Sequence, residues 1–300
     1  MSHAIIIPIY CENRNTINLC NELQNFGAEH IVVVNDGLNP KSEYFNELTS
    51  IGCHLVHLKN NNGKGASLKA GIKYAHDNLY NITGYITCDA DGQHTANDVM
   101  KISRMLDLRN GSLILGKRDY KKSKMPINIR IGNRLSSAYF KVITGKSCRD
   151  TQTGLRGIPA FLYDTVMKTK GSRFDFEMNF LTKCADMRVP FYFVNIIADC
   201  SNCSSNFRLI KDTYLIYRTP LRFATASIGC TIIDLVLFTI FAYILPSHMF
   251  FNIMLATLMA RVVSGGINFL INRKVIFGNT DNGAKQALRF FILFFCIMCA

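Results

Sequence analysis

Between Phe223 and Ile271 the chain offers water almost nothing. Phe223–Leu245 is 23 residues with one charge, Asp234, and Phe250–Ile271 is 22 residues with one charge, Arg261. About 20 helical residues rise ~30 Å, the thickness of a bilayer's hydrocarbon layer. In hydrocarbon each backbone N–H and C=O must be bonded within its own segment, so two such stretches are expected to be membrane-spanning helices. A third apolar run, Ala287–Ala300, stops after 14 residues. The expectation is a membrane domain over residues 214–300 with two clear spans and a partial third, a truncated form of a longer membrane domain.

The flanks give an orientation. Arg218 and Arg222 precede the first span, and Arg273, Lys274, Lys285 and Arg289 follow the second. The turn Pro246–Met249 between them has no Lys or Arg. Cations gather on the cytoplasmic side, which places both ends of the pair there. The N-terminus, MSHAIIIPIY, has no charged leader and no long apolar core, so it does not read as a signal peptide. The expectation is a multi-pass cell-membrane protein whose N-terminal domain, residues 1–213, stays in the cytoplasm. Ala256, Ala260 and Ser264 lie four apart, a small-residue face suited to helix contact. Asp234 and Arg261 are costly inside a bilayer. Two readings of them stand: functional use, or mutual pairing or snorkelling to the interface.

Residues 1–200 alternate short apolar segments with helical patterns. Strands are expected at 4–9, 30–35, 53–58, 84–89, 112–117 and 191–196, with helices at Thr16–Phe26, Ala66–Asn78 and Ala96–Leu108. Repeated strand–helix units predict an α/β fold with a parallel, helix-covered sheet. Ligands of such sheets bind at the carboxyl ends of the strands. Tyr10–Glu12, Asp36–Gly37 and Asp89–Gln93 each follow a strand and should converge on one rim.

The net charge is +13, which points to an anionic partner. Eleven Lys/Arg against two Asp fall between Lys117 and Arg156. Within that block Ile127, Ile131, Leu135, Ala138 and Val142 recur at helical spacing, as in a basic amphipathic helix on a membrane surface. Nucleic acid competes as a partner, but the adjoining membrane half favours lipid headgroups. Several of the eleven cysteines sit in apolar runs, the pattern of reduced thiols used as small hydrophobes. Cys200 and Cys203 form a lone CxxC with no second pair, which does not make a zinc site.

The chemistry concentrates in TCDADGQH, Thr87–His94. Asp89 and Asp91 stand i, i+2 past a strand, where alternate side chains in extended backbone face one way. Two carboxylates with Gln93 as a third oxygen donor suit Mg²⁺ or Mn²⁺ shared with substrate phosphates. A calcium EF-hand loop fails on spacing: the twelfth position is Met100, and the sixth is His94 rather than Gly. An ordinary acidic turn is the alternative, and its place after a strand weighs against it. Asn62-Gly63-Lys64-Gly65 opens a helix without the spacing of a Walker A or dinucleotide loop. It suits either an anion or a plain cap with a solvated lysine. In RDTQTGLRGI, Arg149–Ile158, Asp150 lies among cations, as a base, an orienting group or half of a structural Asp–Arg pair.

The segments IPIYCE, VVVNDG, NNGKGASLKAGIKYA, CDADGQH, GKRD, RDTQTGLRGIP and FDFEMNFL, in this order over residues 4–197, resemble the family 2 glycosyltransferases. The likeness is to the polyprenyl-phosphate sugar transferases of the dolichol-phosphate mannose synthase type. RFATASIGCTIIDLVLFTIF and INFLINRKVIF resemble a GtrA-type membrane domain. The resemblance implies a GT-A, Rossmann-like nucleotide-sugar domain followed by transmembrane helices. It implies that Pro8, Tyr10, Glu12, Asp36, Lys64 and Ala90 hold the nucleotide sugar, with Asn35 where an aspartate is common. Asp89, Asp91 and Gln93 match the metal site, and Arg118, Arg130 and Arg156 match phosphate and lipid-phosphate positions. Asp150 matches a catalytic acidic position of the acceptor loop, and Glu177 an acidic position without a defined role. Ser201–Asp212 resembles a juxtamembrane loop, but Cys200, Asn202 and Cys203 stand where charges are common.

The implied reaction is inverting transfer of a hexose from a nucleotide sugar to a polyprenyl phosphate at the cytosolic membrane face. A divalent metal serves as cofactor. The implied partners are nucleotide sugar, lipid phosphate and membrane, without nucleic acid, and homo-oligomerisation stays open. A different acceptor, or an inactive homologue acting as a binding partner, are the competing readings. No Trp occurs, so the QxxRW signature of processive synthases is missing.

Overall fold

The computed structural model describes residues 2–118, 127–173, 175–197, 209–245 and 250–271. It separates into two compact units, Met1–Asp212 and Thr213–Ala300. Several features lie outside the described residues: Cys200 and Cys203, residues 201–208 of the juxtamembrane stretch and the Pro246–Met249 turn. So do Arg273, Lys274, Lys285, Arg289 and the run Ala287–Ala300, along with the side chains of Ile127, Arg218 and Arg222.

In the first unit seven strands make one sheet. They are β1 (Ser2–Ile9), β2 (His30–Asp36), β3 (His54–Leu58), β4 (Ile82–Thr87), β5 (Leu113–Arg118), β6 (Arg156–Pro159) and β7 (Phe191–Ile196). Their order is β3-β2-β1-β4-β6-β5-β7. The chain winds outward from β1 to β3, then returns to β4 on the other side of β1. That reversal is the switch point at which such sheets bind ligands. The sheet is mixed, not parallel throughout as the sequence predicts. β6 runs antiparallel to both β4 and β5, so the start of β6 meets the carboxyl ends of β4 and β5 at one rim.

β1 is buried on both faces over Ala4–Ile9, which is why its run is apolar throughout rather than alternating. Ile5, Ile7 and Ile9 enter one core with Ile17, Leu23, Phe45, Val99 and Ile102. Ala4 and Ile6 face the other core, with Leu68, Ile72, Tyr85, Phe140 and Phe180. Fully burying an isoleucine side chain contributes about 1.5–3 kcal/mol, so this strand anchors three layers. One face is covered by α1 (Arg14–Asn25), α2 (Glu43–Ser50) and α4 (Ala96–Leu108). The other is covered by α3 (Lys64–Asn78), α5 (Ile127–Thr144), α6 (Tyr163–Lys168) and α7 (Asp175–Asp186). Asn13, Ser42 and Thr95 cap α1, α2 and α4 by accepting first-turn N–H bonds.

α5 forms where its periodicity predicts, but faces the other way. Asn133, Ser136 and Phe140 are buried, whereas Ile131, Leu135, Ala138 and Val142 are exposed with Arg130, Arg134 and Lys141.

The second unit carries the continuation of α8 (Leu209–Ile244), which starts well before the expected span, and α9 (Phe250–Ile271). Thr225–Ile244 and Phe251–Ile271 are long and apolar enough to cross a membrane. Ser264 Oγ donates to Asp234 Oδ1 at 2.7 Å, and Arg261 Nε lies 3.8 Å from Asp234 Oδ2. The two intramembrane charges therefore meet. Ala256, Ala260 and Ser264 are buried.

Candidate active site

The acidic loop leaves β4 at the switch point and is fixed from two sides. Thr16 Oγ1 donates to Ala90 O at 2.9 Å, and Asn15 Nδ2 to Asp91 O at 3.4 Å. Thr87 Oγ1 donates to Gly154 O at 2.7 Å, tying the loop to the segment before β6. A Cβ at Gly154 would overlap the Asp89 carboxylate, so only glycine leaves Asp89 its place. Gln93 Nε2 reaches both carboxylates, 3.2 Å from Asp89 Oδ2 and 2.8 Å from Asp91 Oδ2. The two aspartates thus face one shared donor, the neutral amide N–H of Gln93.

Lys64, at the start of α3, points into this loop. Its Nζ lies 2.6 Å from Asp89 Oδ1 and 3.2 Å from Glu177 Oε1, on α7. Burial alone would push the Asp89 carboxyl up, but Lys64, with help from His94, outweighs it and holds the group well below the usual carboxylate range. Burial would likewise favour a neutral Lys64, but Asp89 and Glu177 prevail and raise its affinity for the proton. Asp91 moves the other way, pushed up by burial and by the charge of Asp89. The pair is poised for a second cation, which would relieve that repulsion.

His94 is the residue that the sequence left without a role. It is 3% exposed, with Nε2 3.5 Å from Asp89 Oδ2, and neither ring nitrogen has a hydrogen bond among the described residues. Its adjacency to the DxDxQ run was the available signal. Glu177, also without a role in the sequence, holds Lys64 and lies 3.8 Å from Arg156 Nη2.

The remaining predicted residues divide. Tyr10 is 40% exposed past β1, Glu12 is exposed beside it, Pro8 is buried within β1 and Ala90 is half-buried in the acidic loop. Asp36 ends β2, but its two oxygens accept from the backbone N–H of Asn62 (2.7 Å) and Gly63 (2.9 Å). The anion at the glycine turn is therefore the chain's own carboxylate, and Asp36 shapes the turn that presents Lys64. Asp150 is fully buried, and Arg118 grips it in bidentate fashion, Nε to Oδ2 at 2.7 Å and Nη2 to Oδ1 at 2.8 Å. Of the readings open for Asp150, the ion pair is the one formed, with Arg118 as partner. Arg156 does not face an open phosphate position. It is 2% exposed and donates to the carbonyls of Thr153, Glu177 and Thr151. Arg130 is exposed on α5.

The donor set fits a divalent cation. Asp89 and Asp91 offer hard carboxylate oxygens at one point, where the Gln93 amide N–H now bridges them; turning that amide over would present its oxygen to an ion. Among the described residues no three His, Cys, Asp or Glu side chains form a closed site. An ion here would share its shell with a ligand, as Mg²⁺ does with substrate phosphates.

A doubly wound sheet with a carboxylate pair at its switch point defines a GT-A, Rossmann-like fold followed by apolar helices. The chain belongs to glycosyl transferase family 2, whose model matches residues 4–164. Residues 222–300 match the GtrA/DPMS transmembrane domain. An uncharacterised protein of Methanocaldococcus jannaschii is 32% identical over 188 residues, 59% of this chain and 73% of that protein. The UDP-N-acetylglucosamine–dolichyl-phosphate N-acetylglucosaminyltransferase of Methanococcus voltae is 29% identical over 172 residues, 51% of this chain and 67% of that one. Among solved structures, glucosyl-3-phosphoglycerate synthase from Mycobacterium tuberculosis, in complex with Mn²⁺, UDP and glucosyl-3-phosphoglycerate, has the same fold. Its TM-score is 0.54 at 12% identity, covering 74% of this chain and 77% of that one.

Proposed function

We infer that this chain transfers a hexose from a nucleotide sugar to a polyprenyl phosphate at the cytosolic face of the membrane, inverting the anomeric carbon. The observation that carries this reading is the convergence of Asp89, Asp91 and Gln93 on one point of the switch-point rim, in a chain that also matches the GtrA/DPMS transmembrane domain. The Methanococcus voltae relative, named for a dolichyl-phosphate acceptor, supports the choice of acceptor. The exposed apolar row of α5, flanked by Arg130, Arg134 and Lys141, gives the catalytic unit a face suited to an anionic lipid surface.

The residues divide the work. Asp89 and Asp91, with Gln93, would hold Mg²⁺ or Mn²⁺, which would supply charge neutralisation for the departing nucleoside diphosphate. Lys64 adds a cation beside that position. Tyr10, Glu12 and Ala90 line the rim where the nucleotide lies, over the turn shaped by Asp36. The lipid phosphate is an anion at neutral pH and attacks in line without a strong base. Asp150 accordingly positions Arg118 rather than removing a proton, and Arg130 meets the lipid phosphate from α5. Held at the surface, the two substrates react as neighbours rather than by slow encounter.

In detergent with Mn²⁺ and polyprenyl phosphate, the full chain should release nucleoside diphosphate from a nucleotide sugar. Asp91→Asn should lower that rate by at least about a hundredfold, the order expected for losing a metal-held charge. Near-native turnover in the variant would refute the metal assignment.

A further inference from the structure

Lys64 Nζ stands between two carboxylates, the half-buried Asp89 and the buried Glu177, and its two contacts are unequal. It is 2.6 Å from Asp89 Oδ1 and 3.2 Å from Glu177 Oε1. Glu177 Oε1 is buried and makes no hydrogen bond among the described residues, a costly state for a carboxylate oxygen. Its other neighbour does not relieve it. Arg156 approaches only to 3.8 Å and gives its hydrogen bonds to the carbonyls of Thr153, Glu177 and Thr151. Lys64 therefore has one filled seat, on Asp89, and one adjacent seat that lacks a hydrogen bond. A lysine is a compact charge on a flexible four-carbon stem, suited to moving between them.

The geometry points to Lys64 as the resident counter-ion of Asp89, which yields that carboxylate to an incoming divalent cation and settles onto Glu177. This rests on the metal reading of Asp89 and Asp91. Glu177 then keeps Lys64 charged and inside the site after Asp89 turns to the ion. The two carboxylates of the loop are never both bare, and the lysine stays beside the diphosphate position. Ion affinity follows from a competition. Lys64 weakens it by occupying Asp89, and Glu177 strengthens it only by drawing Lys64 away.

The proposal is tested by Mn²⁺ binding to the full chain in detergent without nucleotide, read from the electron paramagnetic resonance signal of free Mn²⁺. Lys64→Met and Lys64→Gln should bind Mn²⁺ about tenfold tighter or more, the order expected for removing a unit charge beside the ion. Glu177→Gln should bind several-fold more weakly. In the Lys64→Met background Glu177→Gln should have no further effect, because its action runs through the lysine. Unchanged or weaker binding in both Lys64 variants would overturn the proposal. So would an effect of Glu177→Gln that persists at full size without Lys64. Should Lys64→Met fail to fold, Lys64→Gln and Glu177→Gln carry the same test. Asp91→Asn separates the two readings. If it leaves Mn²⁺ binding intact, the metal site itself is wrong. If it abolishes binding while the Lys64 variants bind like the parent, only the exchange is wrong.

Discussion

Two aspartates on the same rim meet their cations in opposite ways. Asp150 is fully buried, and Arg118 takes both its oxygens at 2.7 and 2.8 Å, with the N–H groups of Arg118 and Gln152 adding bonds at 3.3 Å. Asp89 meets Lys64 through one oxygen, while the other has the Gln93 amide at 3.2 Å and the His94 ring at 3.5 Å. A guanidinium fork fixes a carboxylate in plane, whereas an ammonium holds it as a point charge. The first pair is satisfied within itself, and the second leaves a carboxylate that a ligand can take. The difference between them, rather than acidity alone, is what assigns the proposed chemistry to Asp89.

Breaking the closed pair should have the largest effect on folding. Asp150→Asn leaves Arg118 buried beside a neutral group, and stranding one member of a buried pair costs about 3–5 kcal/mol. The thermal midpoint, followed by circular dichroism, should fall by roughly 10 °C. Asp89→Asn should cost less than half as much, because Lys64 keeps Glu177, yet it should abolish activity. Equal destabilisation by the two would erase the distinction.

Gly154→Ala sharpens the comparison from the open side. The added methyl must displace the Asp89 carboxylate, at about 1–3 kcal/mol for overpacking. Sugar transfer should drop about a hundredfold, as for an ångström-scale misplacement. Native activity would show that the position of Asp89 is not critical.

The membrane pair is a third, looser case, with Arg261 3.8 Å from Asp234 and Ser264 bonded to the same carboxylate. Arg261→Ala should cost about 1 kcal/mol of stability in the bilayer and leave the KM for polyprenyl phosphate within about twofold of the parent, as the lost contact is not a lipid contact. A large rise in that KM would bring Arg261 into the lipid site.

The smallest effect concerns pH. Burial lowers the pKa of His3 and of His54 from the ordinary 6.5. The unfolded chain then binds protons that the folded chain refuses, so stability is full above pH 6.5 and declines as pH falls through it. Melting between pH 7.5 and 5.5 should show this, and His3→Asn should flatten the dependence. An unchanged slope in that variant would clear His3.

What the sequence made legible follows from how each residue is used. Strands buried on both faces, such as β1 and β2, declare themselves as apolar runs, and β7 coincides with its predicted bounds. β6 does not, because RGIP is four residues long, opens on a charge and closes on proline. Arg156 belongs to that strand. A buried arginine held by carbonyls has the same letter as one that meets phosphate. The periodicity of α5 shows a helix with one apolar row, but which face packs depends on what the sheet offers. Here that is a place for Asn133, Ser136 and Phe140. The carboxylate pair was legible through its place after a strand. Its partners were not, since Lys64 and Glu177 come from distant helices, and Asp150 found Arg118 at the end of the adjacent strand β5 rather than its sequence neighbours Arg149 or Arg156.

The central claim is transfer to a lipid phosphate. Its most direct test is product analysis by mass spectrometry, with the full chain in detergent and a panel of nucleotide sugars. Each is offered with Mn²⁺ and either a polyprenyl phosphate or the corresponding unphosphorylated polyprenol. One nucleotide sugar should yield a hexosyl polyprenyl phosphate, only with the phosphate present and only before chelation of the metal. Glycosylation of the free polyprenol, or sugar transfer that survives chelation, would contradict it.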